Sequence, residues 1–216
     1  MRLDYYDKES LSYFEKTVKV NPASFLTPFV NRLPKRAMVV DIGCGSGRDL
    51  KYLKTRGFDA VGIERSAGLA LLAREYSGCE VIEADFTIFD FSSLTADGML
   101  LIGALVHTPH DQIEMVLKNI VKGLKRRGII YISVKKGDKN LKYDEVIALS
   151  RDNLSQDKNS RGKGGDFCTA YTRTFYLWNR ESIESIFSKI GLKVVSFSET
   201  ISMLATGERW LGYLLQ

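Results

Sequence analysis

The sequence predicts an α/β protein: a Rossmann-like, seven-stranded, mostly parallel sheet with helices on both faces and an antiparallel final strand. Three observations lead there. Short apolar runs alternate with helical stretches along the chain, the signature of successive βαβ units. The run 98–105 is continuously apolar, as a central strand buried on both faces requires. The last two apolar runs are joined by a short loop, which suits an antiparallel pair at the sheet's end. A chain of 216 residues is long enough for one well-buried domain and short for two, so a single domain over 1–216 is expected.

The elements follow in order. Residues 8–31 read as helical pieces broken at Pro22 and Pro28, part of a helical cap over 1–35. The first strand is 37–42, followed by a glycine turn and a helix over 48–55 that Gly57 stops. Residues 58–64 form the second strand. Ser66 caps a helix running to Tyr76, and 80–83 is the third strand. After the central strand at 98–105, residues 111–127 form a long amphipathic helix with Ile113, Val116, Leu117, Ile120, Val121 and Leu124 at helical spacing. Gly128 ends that helix and 129–134 is the fifth strand. A helix over 182–190 is closed by Gly191, and strands at 192–197 and 209–215 complete the sheet.

The segment 137–173 stands apart. It is polar, rich in Lys, Asp, Ser and Gly (notably 161–166), with weak helical character at 143–149. An insertion of this length is a functional lid or a disordered segment. It follows the fifth strand, on the side where open α/β sheets bind ligands.

Composition sets outer bounds. The apolar share of 44% and charged share of 26% are those of a soluble globular protein, and no apolar run reaches the ~18 residues of a membrane span. The N-terminus lacks the apolar core of a signal peptide, so a cytoplasmic location is expected. Cys44, Cys79 and Cys168 show no CxxC or Cys/His spacing and read as reduced thiols, with no metal site. The net charge is +5, and nine Lys or Arg stand between Lys118 and Lys142 against one acid, Asp138. That stretch is either a phosphate-contacting face or a solvated helix surface whose cations favour a helix C-terminus. Aromatic residues for base stacking are scarce there.

The chemistry centres on Asp41-Ile-Gly-Cys-Gly-Ser-Gly47. Glycines at 43, 45 and 47 allow tight positive-φ geometry and close ligand approach, and the following helix N-terminus favours a negative group. A dinucleotide turn wants a third glycine three residues after the second, and Arg48 stands there. Asp41 repels a pyrophosphate and attracts an ammonium, so an amino-acid-like ligand fits better. Glu64, at the tip of the second strand, can accept from both ribose hydroxyls. Asp85 can accept from an adenine amine, and Phe86 can cover the ring. Amino acid, ribose and adenine thus lie in order along three strand tips, and that order describes S-adenosylmethionine.

These motifs, with Asp97-Gly98 before strand four and Leu124-Lys-Arg-Arg-Gly-Ile-Ile-Tyr131 at strand five, resemble those of the class I S-adenosylmethionine-dependent methyltransferases. That likeness covers nearly the whole chain from about Arg36, and more narrowly the stretches 43–49, 104–109, 132–138 and 173–194 are similar to a group of small bacterial members of unsettled substrate. The usual KPGG before strand five is Lys125-Arg-Arg-Gly128 here, a change in a turn outside the cofactor site. The resemblance implies that S-adenosylmethionine is held by Asp41, Gly43, Cys44, Gly45, Gly47, Glu64, Arg65, Asp85, Phe86 and Leu105 and leaves as S-adenosylhomocysteine, with no metal.

Methyl transfer needs positioning more than a protein nucleophile. His107, just past strand four, is either a general base or a packing residue; His110, at a helix start, reads as structural or exposed. Arg173 and Tyr176, in the aromatic cluster Tyr171, Arg173, Phe175, Tyr176 and Trp178, are candidates for orienting the acceptor, while the alternation also fits an edge strand with Phe175 in the core. The resemblance also implies that one or more of Tyr5, Tyr6 and Tyr13 folds over the cofactor, as the first helices of related enzymes do. The expected acceptor is a small molecule and the assembly a monomer or homodimer. The alternatives are an RNA or protein acceptor, a cofactor-binding module without activity, and a nicotinamide dehydrogenase.

Overall fold

The computed structural model describes residues 5–148, 170–202, 204 and 207–216. The glycine-rich segment 161–166, Cys168 and the middle of the expected insertion lie outside the described residues.

Three short helices come first: α1 (Tyr5–Lys8), α2 (Ser10–Thr17) and α3 (Ala23–Val30). The sheet is then laid down as β1 (Met38–Ile42), α4 (Arg48–Thr55), β2 (Asp59–Glu64), α5 (Ala67–Ser77), β3 (Glu80–Glu83), β4 (Ala96–Ile102), α6 (Ile113–Ile120) and β5 (Leu124–Lys135). A hairpin of β6 (Lys142–Ala148) and β7 (Ala170–Tyr176) intervenes before α7 (Arg180–Lys189), β8 (Val194–Ile201) and β9 (Arg209–Leu215). The seven strands run β3-β2-β1-β4-β5-β9-β8. β1 to β5 are parallel, and β9 is antiparallel to both β5 and β8. This is the expected doubly wound sheet with an antiparallel final strand.

Strand alternation explains the two-sided core. Val40, Ile42, Met99, Leu101, Ile130 and Ile132 face one layer, packing on α6 (Ile113, Val116, Leu117, Ile120) and α7 (Ile183, Phe187). Val39, Leu100, Ile129, Tyr131 and Leu214 face the other, against Leu26 and Phe29 of α3 and Leu53 of α4. Successive residues thus go to opposite faces, as the pleat dictates, and both faces are buried. Helix ends are fixed locally: the Ser66 hydroxyl accepts from the Leu69 amide at 3.4 Å and the Asn179 side chain from the Ser182 amide at 2.8 Å.

Several boundaries differ from the sequence expectation. Pro28 lies inside α3 and does not break it; the break falls at Pro22, which precedes the helix. The helix expected over 111–127 is α6 alone, followed by a 3-10 turn over Val121–Gly123. Gly128 is no helix stop: it lies within β5, which starts at Leu124 and slips register against β4 between Ala96 and Gly98. Apolar Val121 and Leu124 kept the helical spacing going past the real end, while Gly123, tucked under the Phe91 carbonyl, marks the change. β4 stops at Ile102 because Gly103 turns the chain at φ +67. The helical character read at 143–149 is wrong as well. Residues 143–148 lie in β6, whose Tyr143 and Val146 pair across to Phe175 and Thr172 of β7, and aromatic and β-branched residues prefer that pleated surface; residue 149 lies outside the described residues.

Candidate functional site

The glycine turn, Glu64, Asp85 and the 105–107 turn lie at or just beyond the C-terminal ends of β1, β2, β3 and β4. From Gly43 the chain leaves β1, with the Gly43 and Cys44 amides both donating to the Ile63 carbonyl of β2, at 2.8 and 3.1 Å. Gly43, Gly45 and Gly47 all take positive φ, at +70, +53 and +72. A Cβ on Gly43 would come within 2.8 Å of the Ala104 Cβ, and one on Gly47 within 2.8 Å of the Ala73 Cα. The turn is therefore closed to side chains both by conformation and by its neighbours. Tyr13 of α2 lays its ring beside Gly45.

Asp41, at the end of β1, is 2% exposed, and its Oδ2 is buried with no hydrogen-bond partner among the described residues. Burial pushes its carboxyl pKa well up, the Asp49 carboxylate adds to this, and Arg48 opposes it. A buried acceptor without a donor is costly, and it marks where a donor such as an ammonium fits. Arg48 itself pairs with Asp49 at 2.7 Å.

Glu64 closes the second side. One carboxylate oxygen accepts from the Gly45 amide at 3.0 Å and the other from the Ser66 amide at 2.9 Å. Burial raises its pKa and those amides work against the rise. The carboxylate thus braces the glycine turn against the start of α5. Asp85, at the tip of β3, accepts from the Thr87 amide at 2.9 Å and hydroxyl at 2.7 Å, and Phe86 reaches toward Gly43. Arg65 stands over the Tyr6 ring at 6.0 Å. Leu105 is fully buried where a 3-10 turn, Leu105–His107, follows the Gly103 bend. The Cys44 side chain, by contrast, turns into a small cluster with Leu50, Ala70, Ala73 and Val81. Burial raises its thiol pKa well above the ordinary value, so only the Cys44 backbone belongs to the turn.

On the other flank, three distant segments meet at His107. Its Nδ1 lies 2.7 Å from the Thr174 carbonyl of β7 and its Nε2 2.7 Å from the Tyr6 hydroxyl of α1. A carbonyl only accepts, so Nδ1 carries the proton and Nε2 accepts from Tyr6. Burial pulls the His107 pKa down to about 4. The Thr174 bond opposes this, while Arg173, Arg65 and Lys135 reinforce it. Burial likewise raises the Tyr6 hydroxyl, and pushes Tyr13 up to about 12.

Arg173 donates from Nε to Glu145 of β6 at 3.0 Å and lies 4.2 Å over the Tyr5 ring. The structure brings Arg173, Phe175, His107, Tyr5 and Tyr6 together. Tyr176 is not among them: it packs edge-on against His110, on the opposite face of β7 from Arg173 and Phe175. His110 bonds the Leu177 carbonyl at 2.9 Å and abuts Trp178, a packing role.

Sequence reasoning missed Lys135, the buried last residue of β5. Its ammonium lies 3.7 Å from the Phe175 ring centre, donates to the Tyr143 hydroxyl at 2.9 Å, and pairs with Glu208. A cation ending the apolar run 129–134 was the available signal. The basic stretch is not one face: Lys118 and Lys125 pair with Glu114 and Asp97, whereas Lys135 and Lys136 pair with Glu208 and Glu199 at the far end of β5. Among the described residues no group of three His, Cys, Asp or Glu is placed to hold a metal ion, and no helix is long and apolar enough to cross a membrane.

Comparison with known proteins agrees with this architecture. Residues 14–197 match a family described as a methyltransferase domain. An uncharacterised protein of Methanocaldococcus jannaschii is 28% identical over 134 residues, 61% of this chain and 50% of that protein, so the match spans about half the relative's length. Among solved structures, an S-adenosylmethionine-dependent methyltransferase from Clostridium acetobutylicum superposes with a TM-score of 0.66 at 13% identity, covering 98% of each chain. The glycopeptide N-methyltransferase MtfA, solved with S-adenosylmethionine, gives 0.62 at 13% identity over 88% of this chain and 84% of its own.

Proposed function

The chain belongs to the methyltransferase domain family, and we propose that it moves the methyl group of S-adenosylmethionine to a small-molecule acceptor by in-line displacement. The observation that carries this reading is the unpartnered Asp41 carboxylate oxygen beside a turn closed to side chains. An amino-acid ammonium supplies the missing donor. Glu64 takes the ribose hydroxyls, Asp85 and Phe86 the adenine, and the backbone of Gly43, Cys44, Gly45 and Gly47 the close approach, with Arg65 and Leu105 completing the wall. Bound there, S-adenosylmethionine supplies an electrophilic methyl on a sulfonium and departs as S-adenosylhomocysteine.

The chain's own residues orient the acceptor and exclude water. Tyr5, Tyr6 and Tyr13 of the 1–35 cap and the β6–β7 hairpin of the lid close over the strand ends. A proton leaving the acceptor passes to the Tyr6 oxygen as the Tyr6 proton passes to Nε2 of His107. Such general-base help adds about 10²–10⁴-fold, on top of the larger gain from orientation. Division of the basic stretch between opposite ends of β5 favours a small acceptor over RNA in this single-domain, cytoplasmic enzyme, which acts as a monomer or homodimer.

Calorimetric titration with S-adenosylmethionine, S-adenosylhomocysteine and NAD tests the assignment. Binding of both sulfur nucleosides and not NAD is expected; the reverse sinks it.

A further inference from the structure

Lys135 is a buried charge that the scheme above does not use. It stands two residues beyond Ser133, whose hydroxyl accepts from the Gly103 amide at 3.0 Å, so it rises over the bend that leads to His107. Trp210 is its partner across β5–β9, with the ring centre 5.8 Å from the ammonium. Phe175 lies against both Lys135 and Arg173, 3.7 Å from the Lys135 Nζ and 5.2 Å from the Arg173 guanidinium carbon. Two cations thus share one ring whose centre is 4.7 Å from that of His107.

The immediate partners of these cations are Glu208 for Lys135 and Glu145 for Arg173. A buried ion pair gives little stability over an apolar pair of the same shape, so packing alone does not account for Lys135. An ammonium has three donors. Tyr143 and Glu208 take two of them, and the ammonium stands 3.7 Å over the Phe175 ring, so no oxygen among these partners takes the third.

We propose that Lys135, assisted by Arg173, anchors an oxyanion, a carboxylate or phosphate, carried by the methyl acceptor. The Glu208 and Glu145 carboxylates hold the two cations in place before the acceptor arrives. The anchor sits beside His107, so an acceptor gripped there presents its nucleophilic atom next to the Tyr6–His107 pair. This assignment rests on the methyltransferase reading and narrows its substrate class to small acids.

The test uses the chain's two tryptophans as internal probes. Protein saturated with S-adenosylhomocysteine is titrated with sodium acetate and, separately, with inorganic phosphate, at ionic strength held constant with chloride, following the indole N–H signals by ¹⁵N NMR. The Trp210 signal is expected to move saturably while that of buried Trp178 stays still. Lys135→Met should raise the midpoint at least tenfold, and Lys135→Arg should retain the response; unchanged S-adenosylhomocysteine affinity verifies that both variants are folded. A response to acetate alone assigns a carboxylate, to phosphate alone a phosphoryl group, and to both the shared oxyanion chemistry. No saturable shift, equal movement of both indoles, or an unaltered midpoint in Lys135→Met overturns the anchor. Failure of S-adenosylhomocysteine to bind the wild type strikes the methyltransferase reading instead, and the titration is then run on the protein alone.

Discussion

The hydroxyl of Tyr6 donates to Nε2 of His107 across 2.7 Å, joining residues 101 apart in the chain. Because Nδ1 is committed to the Thr174 carbonyl, the imidazole is held neutral in one tautomer. Its pKa falls from 6.5 to about 4, chiefly through burial.

That shift fixes the sign of a pH effect. Between those two values the folded state binds fewer protons than the unfolded one, so stability is fully present above about 6.5 and drains away as pH falls toward 4. The loss is on the order of 3 kcal/mol. Urea midpoints across this window should show a slope that His107→Gln flattens; an equally steep slope in the variant would assign it to other groups.

Glu64→Ala removes the proposed ribose acceptor together with the brace between Gly45 and Ser66. S-adenosylhomocysteine affinity is expected to drop by about 1–3 kcal/mol, measured by calorimetry, with a lowered melting temperature besides. Unchanged affinity would refute the role given to this carboxylate.

Asp41→Asn separates function from stability. The neutral side chain relieves a buried, unpartnered carboxylate, so the ligand-free protein should melt higher. Cofactor binding should weaken at least tenfold, about 1.4 kcal/mol, as the ammonium loses its counter-charge. Thermal melts and calorimetry on the same preparation check both halves, and parallel changes in the two would count against the assignment.

Gly43→Ala puts a methyl group 2.8 Å from the Ala104 Cβ at φ +70. Left-handed strain and overlap together should cost about 2–4 kcal/mol. Chemical denaturation measures this, and a loss below about 1 kcal/mol would mean that the turn yields more readily than its packing suggests.

The strand ends were legible because local rules wrote them. Asp41, Gly43, Gly45, Gly47 and Glu64 sit at fixed distances from short apolar strands, and a parallel sheet leaves their tips side by side. What surrounds His107 was not legible, since it is assembled from far apart. Lys135 meets Glu208 and Tyr143 only through the β5–β9 pairing and the hairpin, and no spacing in the chain announces that encounter. Tyr176 was chosen with Arg173 from proximity in sequence, yet a strand sends residues three apart to opposite faces. The end of α6 was misread because Val121 and Leu124 continue a helical period whose backbone has already changed course.

The two hydrogen bonds at His107 come from opposite ends of the chain, Tyr6 before the sheet begins and Thr174 after its parallel strands are complete. The ring therefore works as a coincidence detector. If either the N-terminal helices or the hairpin lifts away, water reaches the imidazole and the burial that suppresses its charge is gone. Basicity then climbs back toward that of a free histidine, and the ring holds a proton that it sheds when buried. The charge state of the ring thus reports whether both segments are seated against it.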